Sequence, residues 1–416
     1  MNKSYSQRKW IYIDRWISRK VKKMLEVFPV VALYGARQVG KSTMLKHDFP
    51  EFTYYTLDDF DTMEQSRIDP ISLWKNHNHI IIDEVQKNPK LLPYIKMSVD
   101  QKEGKTFLLS GSSNLLLMKT ISESLAGRAI YVRMDPLTFG EIKSDPLIEN
   151  RLELLLNPSQ AIPEKSIPKE DAIPYLLKGF MPSMLMLRNE EDFVLWKDGY
   201  IQTYLERDVR SITNISSLQD FRKVMTLLAL RNGKIMNQSD LARDAGLSQP
   251  TVFRYLQSME TLMTIDRVSP YLSNPTIRLV KSPKLFWMEP SIAIYLSGIS
   301  SETALTTSQS IGFHFESLVY HHLKVWNNLM SIPANILYWR KRDGIEVDMV
   351  IEQYPKILPI EIKFKSKLTM QDTKNLQNFL EIHPQAKLGI IAYTGTELKY
   401  LLSNILAVPW QWLGGG

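Results

Sequence analysis

The 416-residue chain contains no cysteine. Disulfides and thiolate metal sites are therefore excluded, and the composition fits a reducing compartment. No apolar run approaches the ~20 residues that a membrane-spanning helix needs. The N-terminal stretch MNKSYSQRKWIYIDRWISRK is basic and lacks the apolar segment of a signal peptide. A cytoplasmic protein with no membrane partner is the expectation. Internal repeats and low-complexity tracts are also missing. The seven histidines form no metal-ligand pattern: His77 and His79 merely alternate, and His321 and His322 are adjacent.

What is present is enough for folded cores, since 44% of residues are hydrophobic. The length implies two or three domains. A formal net charge of +7 permits nucleic-acid binding without requiring it.

The stretch VVALYGARQVGKSTMLKHDFP is the strongest signal. Val30 to Tyr34 read as a buried strand, apolar and β-branched at its start. Gly35 to Ser42 then fit G-x-x-x-x-G-K-[ST]. Gly35 and Gly40 let the backbone turn and approach a phosphate. The amides around Gln38, Val39 and Thr43 and the following helix N-terminus attract anionic oxygens. Lys41 reaches the β- and γ-phosphates, and the Ser42 hydroxyl holds Mg²⁺. In HNHIIIDEVQ a second apolar strand ends in Asp83-Glu84. Asp83 is placed to hold the Mg²⁺ shell, and Glu84 to polarise the attacking water. A third strand, TFLLSGSSN, ends in Ser110, Ser112, Ser113 and Asn114. One of these polar groups is expected to sense the γ-phosphate, and Ser112 is a candidate nucleotide ligand. Arg128, in SLAGRAI, is a candidate arginine finger in its own or a neighbouring subunit, and Arg37 is a weaker one.

These motifs, with ESLAGR and MDPLTFGEI after them and YIQTYLERDVR and RLVKSPKLFWMEPSIAIYLSGI further on, resemble a family. It is the bacterial and archaeal AAA+ ATPases of the AAA_14 type, which carry a DUF4143 C-terminal region. The resemblance covers nearly the whole chain. It implies ATP binding, hydrolysis and a fused DNA-related module.

Residues 144–175 hold five prolines among polar residues and read as a linker or excursion. Further on, NQSDLARDAGLSQPTVFRYLQSME reads as a helix-turn-helix. Ser239 and Asp240 are expected to cap its first helix. Gly246 permits the turn, Ser248 caps the next helix, and Pro250 suits its first turn. Val252, Tyr255, Leu256 and Met259 make the buried stripe. Gln249, Thr251, Arg254 and Gln257 are left as candidates to face DNA in a winged element. Lys281 and Lys284 in the following basic stretch are added to that set.

The last third carries a pattern of carboxylates. IGFHFESLVYHHL reads as a helix with Glu316. ILYWRKRDGIEVDMVIE and ILPIEIKFK read as two strands paired across QYPK, the first bearing Asp348 and the second Glu361 and Lys363. Side chains alternate along a strand, so Glu361 and Lys363 share a face. Asp348 and Glu361, with Glu316 from the helix, are candidate Mg²⁺ ligands, and Lys363 is the candidate to orient water. The D…E-x-K skeleton resembles the PD-(D/E)xK nucleases.

The expected architecture is α/β throughout. Residues 1–143 form a doubly wound parallel P-loop NTPase domain, and 144–175 a linker. Residues 176–300 form a helical region with a winged helix-turn-helix, and 301–412 a restriction-endonuclease-like domain. The expected function is an Mg²⁺-dependent ATPase that is homo-oligomeric and coupled to a DNA-binding module with possible nuclease activity. The rival expectation is a nucleotide-switched assembly protein whose nuclease-like domain is inert.

Overall fold

The computed structural model describes residues 12–101, 104–112, 121, 123–147, 149–157, 162–205, 217–272, 278, 281–341 and 343–416, with the backbone alone for 112, 204 and 205. The chain divides into two compact units, Met1–Leu137 with Met181–Asp192, and Thr138–Phe180 with Phe193–Gly416. The first stretch of the first unit ends at Leu137, six residues before 143, and the unit takes in a later return segment. The proline-rich stretch is no linker. It supplies the helices Arg151–Leu156 and Ala172–Lys178 and a short strand, β6 (Lys165–Ser166), all folded into the second unit. Pro174 falls in the first turn of its helix, where a proline does no damage.

In the first unit, α1 (Ile17–Leu25) leads into β1 (Val30–Gly35). Then follow α2 (Lys41–Asp48), β2 (Thr53–Thr56), α3 (Phe60–Ile68) and β3 (His79–Asp83). The unit continues with α4 (Leu92–Asp100), β4 (Thr106–Ser112) and β5 (Ala129–Arg133). The sheet order is β2-β3-β4-β1-β5, and each pairing is parallel. This is the α/β doubly wound arrangement of P-loop NTPases. The central strands are buried on both faces, which is why they read as uninterrupted apolar runs such as VVAL and III. Their side chains join Leu73, Trp74, Leu91 and Ile95 in one core. Parallel pairing brings the C-terminal ends of β1, β3 and β4 to one edge, where open α/β sheets bind ligands.

The second unit contains α5 (Leu218–Ala229), α6 (Gln238–Ala245) and α7 (Gln249–Thr261). A two-stranded antiparallel ribbon follows, β7 (Ile265–Val268) with β8 (Lys284–Trp287). The long helix α8 (Ile311–Leu329) precedes β9 (Asn335–Arg340), β10 (Glu346–Gln353), β11 (Lys356–Lys363), α9 (Lys374–Ile382), β12 (Gly389–Tyr393), β13 (Glu397–Leu402) and β14 (Ile405–Pro409). The sheet is mixed, in the order β6-β13-β14-β12-β11-β10-β9. ILYWRKRDGIEVDMVIE therefore forms two strands rather than the single one expected. Gly344, at φ 93°, lies in the turn that reverses the chain between them. The β10–β11 hairpin across QYPK is as expected.

Candidate functional site

At the C-terminal edge of the parallel sheet, β1 runs into the loop Gly35–Gly40 and then α2. Gly35 is obligatory, because a Cβ there would run into the carbonyl oxygen of Met134. Gly40 has φ 97°, a conformation that side chains resist, and Gln38 adopts φ 62° without being glycine. Local strain of this kind is typical of ligand-holding turns. Lys41 is 7% exposed, and its Nζ donates to the carbonyls of Gly35 and Ala36, both at 2.9 Å. Val39 is fully buried, while Thr43 is exposed.

Arg15, from the turn before α1, clamps the loop. Its Nη1 donates to Val39 O at 2.6 Å and its Nη2 to Asp135 O at 2.7 Å. The Asp135 carboxylate accepts from Arg133 Nε at 2.6 Å. From the other side, Ser183 Oγ donates to Gln38 Oε1 at 3.2 Å, and Pro182 lies beside Gly40. None of these supports was expected, because each lies far from the loop in sequence.

Asp83 is 2% exposed at the end of β3. Its Oδ2 accepts a short hydrogen bond from the Tyr54 hydroxyl, which also bonds Ser42. Burial and Asp83 together push the Tyr54 hydroxyl well above its usual pKa, so it stays a donor. Ser42 and Asp83 are thus brought to one hydroxyl, and an alcohol beside a carboxylate is a fitting donor set for Mg²⁺. Glu84 follows in the left-handed conformation, φ 57°. Burial first, and then the neighbouring Asp83 charge, raise its pKa above the ordinary glutamate value. Gln86 donates to its Oε2. A raised carboxylate at a strained strand end suits a general base.

The expected sensor residues divide. Ser110 is buried in β4, and its hydroxyl finds no hydrogen-bond partner among the described residues. Ser112 pairs by its backbone with Gly35, while Ser113 and Asn114 lie outside the described residues. Arg128, expected to act in its own or a neighbouring subunit, lies away from the loop in its own chain. It precedes β5, and its carbonyl accepts from Val30 N, at the start of β1. A six-residue strand separates that end from the loop, a distance of about 16 Å. Its guanidinium is engaged by Asp100, at 3.0 Å for Nη2 to Oδ2. Arg128 therefore does not reach the loop of its own chain.

In the second unit, Glu316 on α8, Asp348 on β10 and Glu361 and Lys363 on β11 do come together, but with other neighbours. Lys284, from β8, is 3% exposed in its side chain, and its Nζ lies 2.5 Å from Glu316 Oε1, 2.9 Å from Glu346 Oε1 and 3.6 Å from Asp348 Oδ1. Asp348 Oδ2 accepts from Ile362 N at 2.7 Å. Glu361 Oε1 accepts from Lys363 Nζ at 2.6 Å and from Asn375 Nδ2 at 3.1 Å. Burial, seconded by the Asp348 charge, pushes Glu361 up to about 8. Burial likewise raises Glu316 against the pull of Lys284. For Lys284 burial opposes charge, but Glu316, Asp348 and Glu346 outweigh it and hold the ammonium protonated. The expected Mg²⁺ set is corrected accordingly. Among the described residues, three carboxylate or imidazole ligand atoms lie within 4.8 Å of one another at Asp14, His47 and Asp48, but not at Glu316, Asp348 and Glu361.

The comparisons with known proteins agree with this layout. Residues 27–143 match the model of an AAA domain, and residues 311–413 match the domain of unknown function DUF4143. The chain thus carries an AAA domain followed by a DUF4143 region, each matched by its own model. Residues 169–303, between the two, match another domain of unknown function, DUF8612. An uncharacterized protein of Mycobacterium tuberculosis is 28% identical over 393 residues, covering 94% of this chain and 82% of that one. An uncharacterized protein of Methanocaldococcus jannaschii is 22% identical over 357 residues, 80% of this chain and 75% of that one. Among solved structures, the Walker-type ATPase of Pyrococcus abyssi aligns over 68% of this chain and 96% of its own, with a TM-score of 0.45 and 18% identity. A STAND protein of Pyrococcus horikoshii with a tetratricopeptide repeat sensor aligns at a TM-score of 0.27 and 14% identity, over 76% of this chain and 46% of that one.

In the DUF8612 region of this AAA-domain protein, α6 and α7 meet at Gly246, φ 66°. Ser248 caps α7, accepting from Thr251 N, and Val252, Tyr255, Leu256 and Met259 are its buried face. The cap of α6 is Asn237 rather than Ser239 or Asp240, because its Oδ1 reaches the Ser239 amide. Gln249, Arg254 and Gln257 are exposed, while the Thr251 hydroxyl is held by Ser248 and Arg254. Lys281 is exposed, and Lys284 is not. The basic stretch is largely neutralised: Arg267 pairs with Glu260, Arg278 with Glu352, and Lys284 with the carboxylates above. Lys284 therefore leaves the set of candidate DNA contacts. None of the helices among the described residues is long and apolar enough to cross a membrane.

Proposed function

We propose that this protein binds and hydrolyses ATP in its first unit and uses the nucleotide state to control an interaction made by its second, without cutting DNA. The observation that carries the reading is the convergence of Lys41, Ser42, Asp83 and Glu84 on one sheet edge, with the loop clamped by Arg15. When bound, Mg²⁺ supplies charge neutralisation on the phosphates, and Ser42 with Asp83 would hold it. Lys41 turns from the loop carbonyls to phosphate oxygens. Glu84 takes the proton of the attacking water as its oxygen bonds the γ-phosphorus and ADP leaves. An arginine toward the γ-phosphate comes from Arg37 in the loop or from a second copy, since Arg128 faces away in its own chain. Homo-oligomerisation on ATP binding is the corollary.

DNA is a second reading for the partner, favoured by the open row Gln249, Arg254 and Gln257 on α7. The paired state of the surrounding arginines favours a protein partner instead. Mobility-shift titration of duplex DNA against wild type and Arg254→Ala separates the two. No shift at low salt removes DNA.

Calorimetry and phosphate release test the front half. Lys41→Ala is expected to abolish ATP binding. Glu84→Gln is expected to keep binding and to lose turnover by roughly 10²- to 10⁴-fold. Unchanged turnover in both variants would sink the ATPase reading.

A further inference from the structure

Three carboxylates from two elements, Glu316 on α8 and Glu346 and Asp348 on β10, surround one point in the second unit. Such a cluster is costly without a cation, because like charges in a buried site repel strongly. A divalent ion is one answer. This chain holds another. The Lys284 ammonium sits at that point, within 3.6 Å of an oxygen of each carboxylate. The ammonium is at hydrogen-bond distance from both Glu316 and Glu346. Lys284 reaches the point because its backbone is fixed twice, paired with Val268 in the ribbon and bridged to Ile235. A buried lysine without counter-charges is equally costly. The lysine and the carboxylates are thus each other's condition.

The neighbouring carboxylate repeats the device. Glu361 takes its cation from Lys363, on its own strand, and a further donor from Asn375. Both positions where a metal would neutralise charge are filled by side chains of the chain itself.

We propose that Lys284 is the resident cation of this carboxylate site, a covalently tethered substitute that keeps divalent metal out. The tether makes the ammonium present at all metal concentrations, so an entering ion has to expel it and strip its own water. The proposal deepens the non-cleaving reading given above. The two fail separately: DNA cut by wild type defeats that reading, and the metal count below decides this one.

The experiment is Mn²⁺ binding, followed by electron paramagnetic resonance, on the nucleotide-free full-length chain. Wild type and Asp348→Asn are expected to bind the same number of Mn²⁺ ions at millimolar metal. Lys284→Met, which keeps the apolar stem and removes the charge, is expected to gain one ion per chain. Lys284→Met with Asp348→Asn is expected to lose it again. A lower count in Asp348→Asn than in wild type overturns the proposal. So does a folded Lys284→Met that gains no ion. Should Lys284→Met fail to fold, wild type against Asp348→Asn and against Glu316→Gln decides alone, with equal counts supporting the plug and unequal counts overturning it.

Discussion

Tyr54 shows how much one hydroxyl organises. It donates to Asp83, contacts Ser42, and so ties together the two groups that would share a metal ion. A hydrogen bond to a charged acceptor contributes about 1.5–3 kcal/mol. Tyr54→Phe removes it while leaving the ring in place. The expected result is a rise in the Mg²⁺ concentration needed for half-maximal ATP hydrolysis, of roughly tenfold, since 1.4 kcal/mol is tenfold. Binding of ADP without metal should stay near wild type. An unchanged Mg²⁺ dependence would leave Tyr54 as mere packing. At this scale the sequence is legible where chemistry dictates spacing. Gly35, Gly40, Lys41 and Ser42 must stand in that order around a phosphate, so they can be read without a structure. Tyr54 and Arg15 obey no such spacing. Arg15 meets Asp135 across 120 positions, and nothing local announces it.

Among the elements, α8 carries an unusual load. His314, Glu316, Ser317, His321 and His322 are all buried on it. Asn232 organises one end, accepting at Oδ1 from Trp287 N and Ser317 Oγ, which turns its Nδ2 toward His314 Nδ1 at 3.3 Å. Nδ1 is then an acceptor, and the imidazole is neutral. Burial first, and the Lys234 charge second, lower His314 to about 4. Burial lowers His322 as well. Below about pH 6.5 the unfolded chain takes up a proton at His314 that the folded chain refuses until about 4. Stability is therefore full above 6.5 and falls as pH drops through that window, by at most about 3 kcal/mol from this group. Urea unfolding across pH 4 to 7 should show a flatter acid limb in His314→Gln than in wild type. Parallel limbs would mean that His314 is charged in the folded state. The apolar and turn patterns did announce the elements themselves, as with Ser248, Pro250 and the Val252–Met259 stripe of α7. They misread β9 and β10 as one strand because apolar alternation resumes across the turn at Gly344. They also misread Lys284. A lysine in a basic stretch looks solvated, and its hydrogen-bond partner Glu346 stands 62 positions on.

At the scale of the molecule, the chain does not complete its first unit before starting its second. It leaves at Leu137, returns for Met181–Asp192, and departs again. Composition gives no hint of such a return, which is why a boundary near 143 looked natural. The returning stretch meets the nucleotide loop directly, through Pro182 at Gly40 and Ser183 at Gln38. Met181 and Met184 beside them are buried, and burying such a side chain is worth about 1.5–3 kcal/mol. A fragment of residues 1–143 retains the five parallel strands, the loop, Asp83 and Glu84, yet lacks these supports. It is expected to melt at a lower temperature than the nucleotide-binding unit of the full chain and to bind ADP more weakly. In the full chain, Ser183→Ala should weaken ADP binding in the same direction by about 1 kcal/mol, the worth of one hydrogen bond. Calorimetry on the three proteins decides the matter. If the fragment melts and binds as the full chain does, the return of residues 181–192 is incidental. If the fragment is weakened and Ser183→Ala is not, the buried methionines rather than the Gln38 contact carry the support, and the loop takes its shape from Arg15 alone.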